Sequence, residues 1–247
     1  MIIELDKLDE KFMNVLCYPK KDKKEFQKRI LELKRLGVKA LEFSGEKEID
    51  GIPVLGRGCV GIVVLAIMHD NRKVAIKIRR VDADRKTLKH EAEMLKLANS
   101  VNVGPKLIAA TNNFIVMEFI KGKHLPEWIR KADEKEIRKA LRKILEDCRK
   151  LDKIKLSHGE LSRAPKHIMV SNGKPIIVDF ETASIKRKKL NVTAVCQYLF
   201  IRREIANTIK EKIGEINTEK LVKALKAYKK NPTEENFDAI IKTCNLK

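Results

Sequence analysis

Gly56, Gly58 and Gly61 stand in Leu55-Gly-Arg-Gly-Cys-Val-Gly-Ile-Val63, a complete G-x-G-x-x-G with Val63 two residues beyond. Glycines at this spacing let backbone N–H groups approach phosphate oxygens, either where a turn opens a helix or where it continues as a strand. Ile62 to Ile67 is apolar and rich in β-branched residues, so the run continues as a strand. That is the hairpin form, which covers the phosphates of ATP. Val74-Ala75-Ile76-Lys77 follows, where one lysine closes an apolar strand and would project its ammonium beneath the loop. Two carboxylates are near enough in sequence to hold it, both in His90-Glu91-Ala92-Glu93-Met94-Leu95. Glu93 lies on a different helical face, which favours Glu91.

Further along, Phe114-Ile-Val-Met-Glu-Phe-Ile120 reads as a buried strand running into an extended linker. Backbone groups at Glu118 and Ile120 could there pair with an adenine edge. The second half carries His158-Gly159-Glu160-Leu161-Ser162, then Lys166-His167-Ile168-Met169-Val170, then Ile176-Ile-Val-Asp179-Phe180-Glu181. Asp179 follows three β-branched residues, as a buried strand end requires.

In this order these features resemble the protein-kinase superfamily over roughly residues 50 to 200. The His-Gly-acid-Leu-Ser wording is most similar to the RIO kinases and to the small kinase of the tRNA threonylcarbamoyl-modification complex. The resemblance implies an atypical Ser/Thr protein kinase or ATPase that takes ATP and Mg²⁺. It assigns nucleotide contacts to Gly56, Gly58, Gly61, Val63, Ala75, Lys77, Glu91, Glu118 and Ile120. Glu160 takes the place of the catalytic aspartate and acts with Lys77, while Asp179 takes the place of the metal-holding aspartate.

The chain departs from the family pattern in its catalytic loop. Glu160 is a methylene longer than aspartate, and a misplacement near 1 Å can cost roughly 100-fold in rate. Where the family has a metal-binding asparagine, counting from Glu160 gives Pro165, whereas counting back from a hairpin over Ile168 to Val178 gives His167. A neutral imidazole is a poor Mg²⁺ ligand. His158 is expected to pack under the loop. Ser162 stands where many kinases have lysine, and Arg163 or Lys166 could instead neutralise a γ-phosphate. Glu181 replaces the usual glycine. The segment after Asp179 is short and lacks Ala-Pro-Glu, so an extended-peptide platform is missing, and Lys186-Arg187-Lys188-Lys189 fills that place as a docking patch or a solvated run.

The elements that must position these groups can be read from periodicity. Residues 22–36 form an amphipathic helix stopped at Gly37, within a helical N-terminal extension over residues 1–48. Short strands follow at 52–55, 60–68 and 73–79, a helix over 85–99, and strands at 106–110 and 114–119, making an N-lobe of residues 49–121. Residues 122–247 read as a reduced C-lobe with helices at 133–151, 192–213, 218–229 and 233–243, N-capped by Asp133, Thr218 and Thr233. The fold class is α+β, a two-lobe protein-kinase-like fold with a small antiparallel sheet and a mostly helical second part.

Composition limits the alternatives. A chain of 247 residues, 43% hydrophobic, can build a real core. Its five dispersed cysteines form no zinc or redox motif and fit buried positions in a reducing compartment. The longest apolar run, Cys59 to Met68, is half of the roughly 20 residues needed to span a bilayer, and no signal-peptide core is evident, so a cytoplasmic protein is expected. Lys plus Arg outnumber Asp plus Glu by 54 to 34, a net charge of +20, which favours RNA, the ribosome or an acidic protein as partner. The readings carried forward are the kinase, a pseudokinase-like module that binds such a partner through its basic surface, and a small-molecule kinase. The last needs an acidic pocket for a cationic substrate, against the sign of the charge.

Overall fold

A run such as Gly61–Met68, with no polar side chain, must be covered on both faces when it becomes a strand. In the computed structural model, which describes residues 1–201 and 203–246, this run lies inside an antiparallel sheet. The described chain divides into two units, Met1–Lys96 with Pro105–Ile120, and Leu97–Gly104 with the chain from Lys121 onward.

The first unit runs β1 (Ile2–Glu4), α1 (Met13–Leu16), α2 (Lys23–Arg35), β2 (Val38–Glu42), β3 (Lys47–Ile49), β4 (Ile52–Val54), β5 (Gly56–Arg57), β6 (Gly61–Met68), β7 (Lys73–Arg79), α3 (Lys89–Asn99, its last three residues counted with the second unit), β8 (Leu107–Ala110) and β9 (Phe114–Glu118). The sheet order is β1-β2-β6-β7-β9-β8, with β5 paired to β6. Val63 faces Lys77 across β6 and β7, and Lys77 faces Ile115 across β7 and β9. This register fixes the site lysine in the middle of the sheet.

Residues 1–48 hold more than the expected helix. α2 is there, N-capped by the Asp22 carboxylate, which accepts from the Glu25 N–H at 3.0 Å. It buries Phe26, Ile30 and Leu33 on one face, each contributing about 1.5–3 kcal/mol. β1 and β2 flank it and extend the sheet, with Leu41 opposite Ala66. Arg29 ties the segment down. Its fully buried guanidinium donates to Glu25 (2.8 Å), to the Leu16 carbonyl (2.5 Å) and to the Arg79 carbonyl at the end of β7 (2.6 Å).

The second unit continues with β10 (Lys123–His124), α4 (Leu125–Lys131), α5 (Glu134–Lys153), β11 (Ile168–Ser171), β12 (Lys174–Ile177), α6 (Asn191–Cys196), α7 (Arg203–Ile213), α8 (Thr218–Lys230) and α9 (Glu234–Thr243). β10, β11 and β12 form a three-stranded antiparallel sheet. Asp133 and Glu136 close a capping box on α5, and Thr233 caps α9. Asn217, not Thr218, caps α8. The stretch read as one helix over 192–213 is broken by a π-helical turn at Gln197–Ile201. α4, which the sequence reading did not place, buries Leu125 and Ile129.

One polar hub joins α5, the loop before β11, α6 and α8. The Asp152 carboxylate accepts from the Asn191 N–H (2.6 Å), the Asn191 amide (2.8 Å), the Val192 N–H (3.2 Å) and the Tyr228 hydroxyl (3.2 Å). Burial pushes the Asp152 carboxyl up to about 6 although these bonds pull the other way. The Asn191 amide also donates to the Leu156 carbonyl at 2.7 Å and its Oδ1 accepts the His158 N–H at 2.9 Å. Four cysteines are buried and Cys59 is exposed. Among the described residues no helix is long and apolar enough to cross a membrane.

Candidate functional site

The glycine motif is the tip of the β5–β6 hairpin, with Gly56 opposite Val63 and the Gly58 N–H donating to the Gly61 carbonyl at 2.8 Å. Packing at Gly61 is tight. A Cβ there would meet the Lys77 stem and the Ile78 carbonyl at 3.0 Å, so a larger residue needs those neighbours to give by a few tenths of an ångström. Ala75 is buried two residues before Lys77 on β7. Lys77 Nζ lies 2.9 Å from Glu91 on α3, both side chains being buried, whereas Glu93 points outward and is exposed. The paired face is thus the one that helical phase favours.

Two residues that sequence reasoning missed brace the loop. Arg80 donates to the Gly58 carbonyl at 3.0 Å, and both Arg57 and Arg80 lie over the Tyr18 ring at 4.6 and 4.8 Å. Tyr18 is remote in sequence, so no local pattern could have announced it.

At the end of β9 the Glu118 N–H donates to the Lys106 carbonyl at 2.9 Å and is not available to a ligand. Lys106 returns its own N–H to the Glu118 side chain at 3.2 Å, so the Glu118 carbonyl is not consumed by it. That carbonyl and the N–H of Ile120 are the groups an adenine edge could use.

In the second unit, β11 and β12 set the register of the catalytic loop. The Val178 N–H donates to the His167 carbonyl at 2.9 Å, which puts His167, not the exposed Pro165, beside the carboxylates. His167 Nε2 is 3.5 Å from Glu160 and Nδ1 is 3.7 Å from Asp179. Asp179 adopts φ +69, a left-handed conformation that costs a non-glycine residue about 1–3 kcal/mol and is held by its surroundings. One donor atom each from Glu160, His167 and Asp179 falls within 4.8 Å of the others. Such a trio could hold a divalent cation, and its mixed nitrogen and oxygen donors suit Mn²⁺ or Zn²⁺ better than Mg²⁺.

His158 is fully buried beneath this cluster. Its Nε2 is 3.1 Å from the Val178 carbonyl, an acceptor only, so this nitrogen carries the proton. Burial, then neighbouring His167, push His158 down to about 4, so the ring is neutral at pH 7. It packs edge-on against Phe180 at 5.1 Å and thereby seats the strand end carrying Asp179.

Gly159 has φ +94, and a Cβ there would come within 2.4 Å of Arg187 and 2.7 Å of the Thr182 hydroxyl. The hydroxyl itself donates to the His158 carbonyl at 2.9 Å. Arg187 therefore packs on the catalytic loop, and Lys189 Nζ reaches Ser162 Oγ at 3.5 Å. Lys186 and Lys188 are exposed, as are Arg163 and Lys166, whose side chains make no hydrogen bond or ion pair among the described residues. The Gly159, Thr182 and Arg187 contact is tertiary. Its only sequence signal is a glycine next to the acidic residue.

The RIO domain family model matches residues 66–210, which includes Lys77, Glu91, Glu160, His167 and Asp179 and begins within β6, after the glycine motif itself. An uncharacterized protein of Methanocaldococcus jannaschii is 34% identical over 98 residues, covering 40% of this chain and 84% of that protein. By this match over more than half its length, with an antiparallel-sheet unit followed by a mostly helical one, the chain belongs to the RIO-domain family of atypical protein kinases.

Proposed function

We propose that the chain binds ATP and transfers its γ-phosphate to a Ser/Thr hydroxyl of a protein or of itself. The observation that carries this reading is the buried Lys77–Glu91 pair directly under Gly61, because burying two charges is costly unless they are used or fully paired. In this proposal the β5–β6 hairpin offers N–H groups to the phosphates, and the Glu118 carbonyl and Ile120 N–H orient the adenine. Lys77, held by Glu91, neutralises phosphate oxygens. Glu160 orients the acceptor hydroxyl and takes its proton as the new O–P bond forms and the bond to the ADP oxygen breaks. A divalent cation, when bound, would neutralise phosphate charge, and Asp179 with His167 would hold it.

The test is Glu160→Gln. ATP affinity by calorimetry is expected to stay within about threefold, while phosphate incorporation falls by about 100-fold or more, in the range general-base removal gives. Unchanged incorporation would remove Glu160 from the mechanism. A second reading, a pseudokinase-like module that binds RNA, the ribosome or an assembly partner through its basic surface, is favoured by Glu160 and His167 standing where the family carries Asp and Asn. Wild-type protein that binds ATP with no incorporation above the Glu160→Gln level supports it.

A further inference from the structure

α6 with its following π-helical turn, together with α8, borders a groove of about 690 Å³. Its floor is apolar. Leu190, Ala194 and Ile201 line one side, Val222 and Leu225 the other. Leu190, Thr193, Ala194 and Gln197 fall at i, i+3, i+4 and i+7, as do Val222, Leu225, Lys226 and Lys229, so each wall is one helical face. Ile201 is 37% exposed at the end of the first wall.

The rim carries one sign of charge. Arg187, Lys188 and Lys189 line it, Lys226 and Lys229 run along α8, and among the described residues no acidic one lines the groove. None of these five cations has a carboxylate partner among the described residues. On α5, by contrast, Arg138, Arg142 and Lys143 pair with Glu134, Glu146 and Asp147. The cations at the groove are therefore set apart from the usual helical pairing and add their potentials over apolar surface.

We propose that this groove docks an acidic, amphipathic helical segment of a partner protein. Two parallel requirements meet there. A helix laid between two helical faces inserts apolar residues at i, i+3, i+4 and i+7, and its acidic flanks meet the rim. RNA would satisfy only the charge, because among the described residues no aromatic ring lines the groove to stack a base. Arg187 and Lys189, which touch Gly159 and Ser162, join the groove to the catalytic loop, so a docked segment contacts the same side chains that pack on that loop. The inference goes beyond phosphoryl transfer and is read without nucleotide.

The experiment is fluorescence anisotropy on the full chain with a labelled model peptide of about four helical turns, leucine on one face and glutamate on the others. The comparison ligands are a scrambled peptide of the same composition and a single-stranded RNA of equal charge. Binding of the patterned peptide is expected to weaken about tenfold on scrambling, on Leu225→Ser, and on the double change Lys226→Glu with Lys229→Glu, with circular dichroism unchanged. Equal affinity for the scrambled peptide overturns the proposal. So does RNA binding at least as tight and indifferent to Leu225→Ser, which would make the surface a polyanion site, and so does absence of peptide binding at millimolar concentration.

Discussion

Lys77 Nζ lies 2.9 Å from both carboxylate oxygens of Glu91, and the two side chains are 8% and 7% exposed. Breaking a buried ion pair by removing one partner typically costs about 3–5 kcal/mol. Lys77→Met is therefore expected to lower the denaturation midpoint as well as ATP affinity, and Lys77→Met with Glu91→Leu is expected to recover much of the stability but none of the affinity. Chemical denaturation and calorimetry on the single and double variants check it. A double variant no more stable than the single one contradicts the argument.

Gly159→Ala meets both a backbone and a packing obstacle, φ +94 and the close approach of the Thr182 hydroxyl at 2.7 Å and carbonyl at 3.0 Å, while the exposed Arg187 side chain can move aside. The expected cost is about 1–3 kcal/mol with a large loss of turnover, because Glu160 is the next residue. Gly173→Ala, at φ +72 with nothing within 4 Å, carries the backbone strain alone and serves as the control. Equal loss of turnover in both variants would show that the packing against Thr182 is irrelevant.

His167 supplies the only nitrogen donor in the Glu160, His167 and Asp179 cluster. Protein with a non-hydrolysable ATP analogue is expected to bind Mn²⁺ in preference to Mg²⁺, and His167→Asn to reduce the Mn²⁺ to Mg²⁺ affinity ratio by about tenfold, or 1.4 kcal/mol. Titration calorimetry with each cation reads this directly, and an unchanged ratio would take His167 out of the coordination sphere.

Two buried groups pull the acid stability in opposite directions. His158 falls from 6.5 to about 4, so its stabilising share is full above pH 6.5 and is lost as pH falls through 4. Asp152 rises from 3.8 to about 6, so its share is full below pH 3.8 and is lost as pH rises through 6. Between these limits the slopes offset each other. Asp152→Asn removes one of them, and the variant is expected to lose stability on acidification by up to about 1.4 kcal/mol per pH unit more steeply than wild type. Urea midpoints at several pH values between 4 and 7 test it, and parallel curves would refute it.

What could be read from sequence follows physical range. The glycine hairpin, Lys77 and the choice of Glu91 over Glu93 are set by strand alternation and helical phase, which are local. His167 could be placed only once the β11–β12 hairpin was taken as the ruler, since counting from Glu160 ends on Pro165. β1 and β2 escaped because β1 has only three residues and β2's partners, Leu65 to Met68, lie more than a loop away. The contacts of Tyr18, Arg29, Arg187 and Asn191 join distant segments, and no periodicity records them. The break at Gln197–Ile201 escaped because a π turn keeps the same apolar composition as the helix around it.

The sheet has one more consequence, for where the molecule can be cut. The family match starts at Ala66, in the last part of β6, and Ala66 pairs with Leu41 on one side and Val74 on the other. A polypeptide begun there would lose Gly56 to Leu65 together with β2, stripping one flank of β7 of most of its ladder. Its unpaired backbone would be free to recruit strands from other molecules, so such a fragment is expected to self-associate. The boundary of family likeness is thus not a boundary of folding: the sheet of the first unit needs β2 and the whole β5–β6 hairpin beside the part that the family model covers.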